Sequence, residues 1–125
     1  MKKITILLVI IFTFLFSTTS WGEWSYVTKN VDGVKFYYDK DRVRKSGKYL
    51  YFWELIDLLK PLDGDLSVTS YPEPDCSIFR FKFLTFRFYK NSMGEGNLAF
   101  EENGKEKWKY PPPNSSIELI ISKVC

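Results

Sequence analysis

The sequence predicts an α+β fold: an antiparallel sheet of about six strands, with a C-terminal helix packed on it and one disulfide. Three observations carry this. Runs of aromatic and β-branched residues recur between turn signals from Trp24 to Phe100. One helical periodicity closes the chain, with Ile117, Ile120, Ile121 and Val124 falling on a single face. The cysteines are only two, Cys76 in mid-chain and Cys125 at the end.

Before these elements stands a different kind of segment. Met1-Lys2-Lys3 is a short basic start, and Ile4 to Phe16 carries no charge. That run is shorter than the roughly 20 residues that cross about 30 Å of hydrocarbon. A positive flank, an apolar run and small residues after it make the layout of a secretory signal. The expected organisation is a signal peptide over 1–22 and a single domain over 23–125, with cleavage after Gly22 preferred to cleavage after Ser20. An uncleaved anchor or a buried helix is the rival reading. Lys2 and Lys3 are the only charges in 1–22, so the formal +3 falls to +1 on their removal. A near-neutral surface gives no reason to expect a polyanionic partner.

The strands follow in order. Trp24-Ser25-Tyr26-Val27 alternates, Asp32-Gly33 signals a hairpin turn, and Val34 to Tyr38 returns antiparallel. Asp39 to Lys45 is charged and ends that strand, with Val43 tucked inward, and Ser46-Gly47 turns the chain. Lys48 to Asp57 reads as the third strand, against a helical rival suggested by Leu55, Leu58 and Leu59, and Pro61 ends either element. Leu62 to Asp65 is a loop, Leu66 to Tyr71 a shorter strand at a sheet edge, and Pro72 to Asp75 a turn into Cys76. Ile78 to Tyr89 is the strongest strand. Phe79, Phe81 and Phe83 alternate with Arg80 and Lys82, but Leu84, Phe86 and Phe88 fall out of phase, which a bulge near Thr85 would repair, as would burial of both faces at that end. After the glycine-bearing loop Asn91 to Asn97, Leu98 to Phe100 is the last strand. Pro111-Pro112-Pro113 leads to Ser115, which stands three before Glu118 in capping-box spacing.

In an oxidising compartment Cys76 and Cys125 pair, closing a loop of about 50 residues and tying the end of the helix to the start of the long strand. The other arrangement leaves two free thiols, with Cys125 open to an intermolecular bond. Histidine is absent, which removes the commonest general base and metal ligand. No zinc spacing exists, so neither metal nor cofactor is expected. Asp39/Asp41 and Asp63/Asp65 are paired carboxylates, better suited to turns and strand ends than to acid–base work or calcium. A carboxylate hydrolase would need two of them facing each other in a deep cleft.

Arg80, Lys82, Arg87 and Lys90 interleave with the aromatics of the long strand. Such a strand can stack bases, but export and low net charge argue against nucleic acid. Arg80 and Lys82 are instead candidate contacts for a protein partner, since Arg and aromatic residues are enriched at interfaces. Tyr26, Tyr37, Tyr38, Tyr49, Tyr51, Trp53 and Trp108 fill the core, or, where exposed, form a platform for sugar or protein; sequence does not separate these uses.

A set of residues spread over 23–125 carries a family likeness. They are Trp24, Phe36-Tyr37-Tyr38-Asp39, Arg42-Val43-Arg44-Lys45, Trp53-Glu54-Leu55-Ile56-Asp57, Ser70, Asp75-Cys76, Gly94-Glu95-Gly96, Trp108, Pro113 and Val124-Cys125. In these the sequence resembles the surface-adhesin protein E family of bacteria. The resemblance implies a six-stranded antiparallel sheet with a C-terminal helix held by the disulfide, an export signal and a homodimer. It also implies a non-enzymatic module that binds proteins, host extracellular-matrix proteins among them. No cysteine follows the apolar run to take a lipid anchor, so periplasm and cell surface both stand as expected locations. The alternative function is a periplasmic structural or assembly protein without a host ligand.

Overall fold

Asn30 shapes the first hairpin. Its side-chain oxygen accepts from the amides of Asp32 and Val34, and Gly33 takes the left-handed conformation that this turn needs (φ 81°). The turn joins β1 (Ser25–Lys29) to β2 (Lys35–Tyr38), as the Asp-Gly signal implies. The computed structural model describes residues 23–104 and 107–125; the expected signal peptide, 1–22, lies outside the described residues.

Lys40–Arg42 forms one 3-10 turn, with Val43 half-buried after it. The chain then makes a hairpin of β3 (Arg44–Ser46) and β4 (Tyr49–Tyr51) around Gly47. β5 (Glu54–Leu62) and β6 (Asp65–Asp75) meet at a two-residue turn, Asp63-Gly64, left-handed at both positions as a type I′ hairpin requires (φ 50° and 83°). β7 (Arg80–Tyr89) and β8 (Leu98–Asn103) follow, and the helix α1 (Ser116–Val124) ends the chain.

Among the described residues eight antiparallel strands form one sheet. Its long path runs β1-β2-β5-β6-β7-β8, and the β3–β4 hairpin continues the edge of β6 beyond β5. The expectation of about six strands is corrected for two reasons. The run 48–57 keeps its alternation but is divided at Phe52-Trp53, where its partner changes from the far end of β6 to β2 and the near end of β6. The charged stretch before Gly47 supplies β3, whose residues are all exposed and so carry no apolar pattern.

Four further expectations are overturned. β5 continues through Pro61, because β2 pairs only with Lys35-side residues up to Asp57 and leaves that end of β5 without a ladder partner on one side. The segment 66–71 is no edge strand; β6 is the longest in the sheet and lies between β5 and β7. It also runs straight through Pro72 and Pro74, which were expected to turn. Phe81 opposite Pro74 directs both its amide and its carbonyl outward to Lys109 (2.8 Å each). The Pro74–Phe81 pair is therefore a non-hydrogen-bonded one, and Pro72 opposite Phe83 falls in the same phase up to the bulge. Neither proline removes a donor from the β6–β7 ladder. Finally, β7 starts at Arg80, since Cys76 to Phe79 is a turn with Phe79 left-handed (φ 49°).

The phase change in β7 is repaired by a bulge. Register passes from Tyr71–Thr85 to Pro72–Phe83, so Leu84 is the extra residue. Phe81 and Phe83 then share a face with Phe86, whose ring lies 4.9 Å from that of Phe83. On this face Phe81 packs with Ile117 and Ile121 of α1, and Phe52 and Ile120 are fully buried. Ser115 caps α1 by accepting from the Glu118 amide (3.2 Å), while the Glu118 carboxylate accepts from the Asn114 amide (3.0 Å). Cys125 closes the helix and is bonded to Cys76, with their Cα atoms 5.6 Å apart.

Candidate functional site

The helix covers one face of the sheet, and the other is unusual in composition. Alternation sends Tyr49, Tyr51 and Trp53 to this second face, together with Tyr71 of β6 and Arg80, Lys82 and Arg87 of β7. Trp108 joins them. The chain around Lys109 forms a bridge with Phe81 at the outer edge of β7, which places the neighbouring indole over the cations of that strand.

The result is an aromatic ladder with cations between its rungs. Tyr49 stacks on Trp108 at 5.4 Å, Tyr51 on Tyr71 at 6.1 Å, and Trp53 leans on Tyr71 at 4.7 Å. The Arg80 guanidinium and the Lys82 ammonium lie 4.3 and 4.6 Å from the Trp108 ring centre. Arg87 lies 4.8 Å from Trp53, Arg44 lies 5.7 Å from Tyr51, and Lys48 lies 5.4 Å from Tyr49. A cation held against an aromatic face contributes about 0.5–1 kcal/mol where exposed, and stiffens both groups.

The two candidate contact residues, Arg80 and Lys82, are thus brought together, and each is also held by an acid. Arg80 Nε bonds the buried Asp75 at 3.1 Å, and Lys82 Nζ lies 3.7 Å from Glu73. Asp75 accepts in addition from the amide and hydroxyl of Ser77; that hydrogen bonding, with Arg80, holds its carboxyl below the usual range against the opposing effect of burial. Tyr51 is raised above the ordinary phenol value, by burial first and by Glu73 next. On the β3–β4 hairpin Arg44 and Lys48 stay exposed beside these rings, while Lys45, opposite Leu50, points to the helix side.

Further along the same face, a pocket of about 190 Å³ opens between Trp24, Asp39, Arg42, Trp53, Thr69, Arg87 and Tyr89. The loop after β7 borders this region. Met93 donates its amide to Asp57, and Gly94 donates to the Ser67 hydroxyl, which itself donates to the Asn91 carbonyl. Of these residues the sequence singles out Trp53 as an aromatic and Asp39 as one of a carboxylate pair, but nothing in it gathers them. Its walls come from five separated segments, and only their pairing, Thr69 opposite Arg87 above all, brings them together.

The acid pairs serve the frame. Asp39 ends β2 with Arg42 at 3.7 Å, Asp63 occupies the β5–β6 turn, and buried Asp65 meets Lys90 at 3.1 Å. Among the described residues no three His, Cys, Asp or Glu side chains gather as a metal set, and no helix is long and apolar enough to cross a membrane.

Comparison with known proteins gives two findings. The family model described as surface-adhesin protein E matches residues 24–125. Among solved structures the chain is similar to Haemophilus influenzae protein E, with 17% identity and a TM-score of 0.64, covering 86% of this chain and 87% of that one. A second crystal form of that protein gives 16% identity and a TM-score of 0.62 over 86% and 91%. Protein E from non-typeable Haemophilus influenzae gives 18% and 0.56 over 80% and 73%. At such identities the likeness is one of fold. No curated protein matches.

Proposed function

The chain belongs to the surface-adhesin protein E family, and from that membership we propose that it is an exported, non-enzymatic module that binds a protein partner through the sheet face opposite the helix. Host extracellular-matrix proteins are the partner class. The observation that carries this reading is the aromatic–cation ladder. A sheet face left to solvent is ordinarily polar, whereas this one presents half-buried Tyr49, Tyr51, Tyr71, Trp53 and Trp108. Tyr, Trp and Arg are the residues most enriched at interface centres and hot spots. Their stacking fixes the rotamers beforehand, which lowers the entropy lost on association. Arg80 and Lys82, already paired, act by orienting Trp108 and by completing the charge of the face. Arg44 and Lys48, exposed beside these rings, are the cations that would meet acidic groups on the partner.

Binding to immobilised matrix proteins tests this reading. Saturable binding at micromolar concentration is expected, and it weakens about tenfold when Arg44 and Lys48 are both changed to Glu. Lys123→Glu on the helix side leaves it unchanged. Absence of saturable binding to any of the matrix proteins overturns the reading. Whole-cell protease treatment separates the two locations, because a surface protein is removed and a periplasmic one is spared.

A further inference from the structure

We propose that the pocket between Trp24, Asp39, Trp53, Thr69, Arg87 and Tyr89 binds one neutral hexopyranose unit of a glycan. Its volume of about 190 Å³ lies below the roughly 300–1,000 Å³ of sites for drug-sized ligands and suits a single ring. Two buried polar atoms beside it lack hydrogen-bond partners: Asp39 Oδ1, an acceptor, and Arg87 Nε, a donor. The Asp39 side chain is only 9% exposed, so leaving that oxygen unpaired carries a cost that a ligand would relieve. Arg87 is 3.6 Å from Glu101, too far for a hydrogen bond, and so keeps its donor.

Charge selects against ionic ligands. Asp39 is matched by Arg42 and Arg87 by Glu101, so the borders cancel. An anion would face Asp39 and a cation would face two guanidinium groups. A hydroxyl both donates and accepts, so one sugar ring can answer Asp39, Arg87 and the Thr69 hydroxyl together. The stacking surface is Trp24. Tyr71 and Arg87 already lie against the Trp53 ring, whereas no described ring or cation lies against the half-buried Trp24 indole. The negative face of an indole attracts the polarised C–H groups of a pyranose.

Titration of the full protein, disulfide intact, with methyl glucopyranoside, methyl mannopyranoside and methyl galactopyranoside tests this, read by NMR shifts of the tryptophan indole N–H signals. At least one sugar is expected to shift the Trp24 signal with a dissociation constant of about 1–10 mM. Trp24→Ala, in a half-buried position just before β1, and Asp39→Asn each weaken it about tenfold, and glucuronate and glucosamine bind less well than the neutral sugar. The proposal is overturned if no neutral hexoside shifts a pocket signal up to about 50 mM, if Trp24→Ala binds as well as the parent, or if a charged sugar binds more tightly. Free sugars make the result independent of any protein partner. Where a hexoside binds, capture of a matrix protein before and after glycan removal assigns the source: loss points to the host glycoprotein, retention to polysaccharide of the bacterial envelope.

Discussion

Glu54 shows most clearly what a single side chain can do here. It lies on the helix face, opposite Ser70, and is 3% exposed. Its Oε2 and the Ser70 hydroxyl both lack partners. Burial pushes its carboxyl up to about 8. The folded state therefore holds a proton that the unfolded chain releases near the ordinary value of 4.5, so this contribution to stability is complete below pH 4.5 and is lost as pH rises through about 8. Thermal melts should show a falling Tm across that window, and Glu54→Gln should flatten it while raising Tm at pH 8. Asp75 has the opposite sign: its carboxyl is lowered, so its stabilisation is present above the ordinary carboxylate value and disappears on acidification. Neither behaviour was legible in the sequence. Glu54 stands in an aromatic and aliphatic run where an acid reads as the outward member of a strand, and only the helix across the sheet makes its position an interior one.

At the scale of elements, the bulge and the cap are the two features most open to test. Leu84 is the residue that returns Phe86 to the face of Phe83. Deleting it would send Phe86 and Phe88 to the opposite face, and exposing two large aromatic rings costs about 3–6 kcal/mol. A protein of this size should then fail to show a cooperative melt. Ser115→Ala removes the cap on α1 and is expected to cost about 1 kcal/mol, a fall in Tm of about 4–8 °C in calorimetry. These two elements were readable beforehand because their signals are local: a broken alternation, and a serine three residues before a glutamate. β6 was not. Pro72 and Pro74 read as a turn, and their tolerance depends on Phe81 bonding outward to Lys109, a contact 28 residues away in sequence. β3 was missed because all its residues are exposed and it has no apolar face to announce it.

For the molecule as a whole, the Cys76–Cys125 bond ties the helix to the turn before β7 across a sequence separation of 49 residues. Chain-entropy reasoning puts its contribution at about 4 kcal/mol, so Cys76→Ser/Cys125→Ser should lose up to that amount in urea unfolding, with the transition still cooperative. This bond was legible from cysteine count and the expected export alone. The binding face was legible only as a surplus of aromatic residues. Trp53 stands just before β5, whose Glu54 pairs with Ser70 next to Tyr71, and Trp108 arrives from a segment that bridges the sheet at Lys109. The function turns on which side of the sheet meets the partner. Oxidative footprinting of the protein with and without a bound matrix protein decides it. Protection of Tyr49, Tyr51, Tyr71 and Trp108, with Leu119 on α1 unchanged, is the predicted result. Protection of the helix side, with those four rings as reactive as in the free protein, would contradict it.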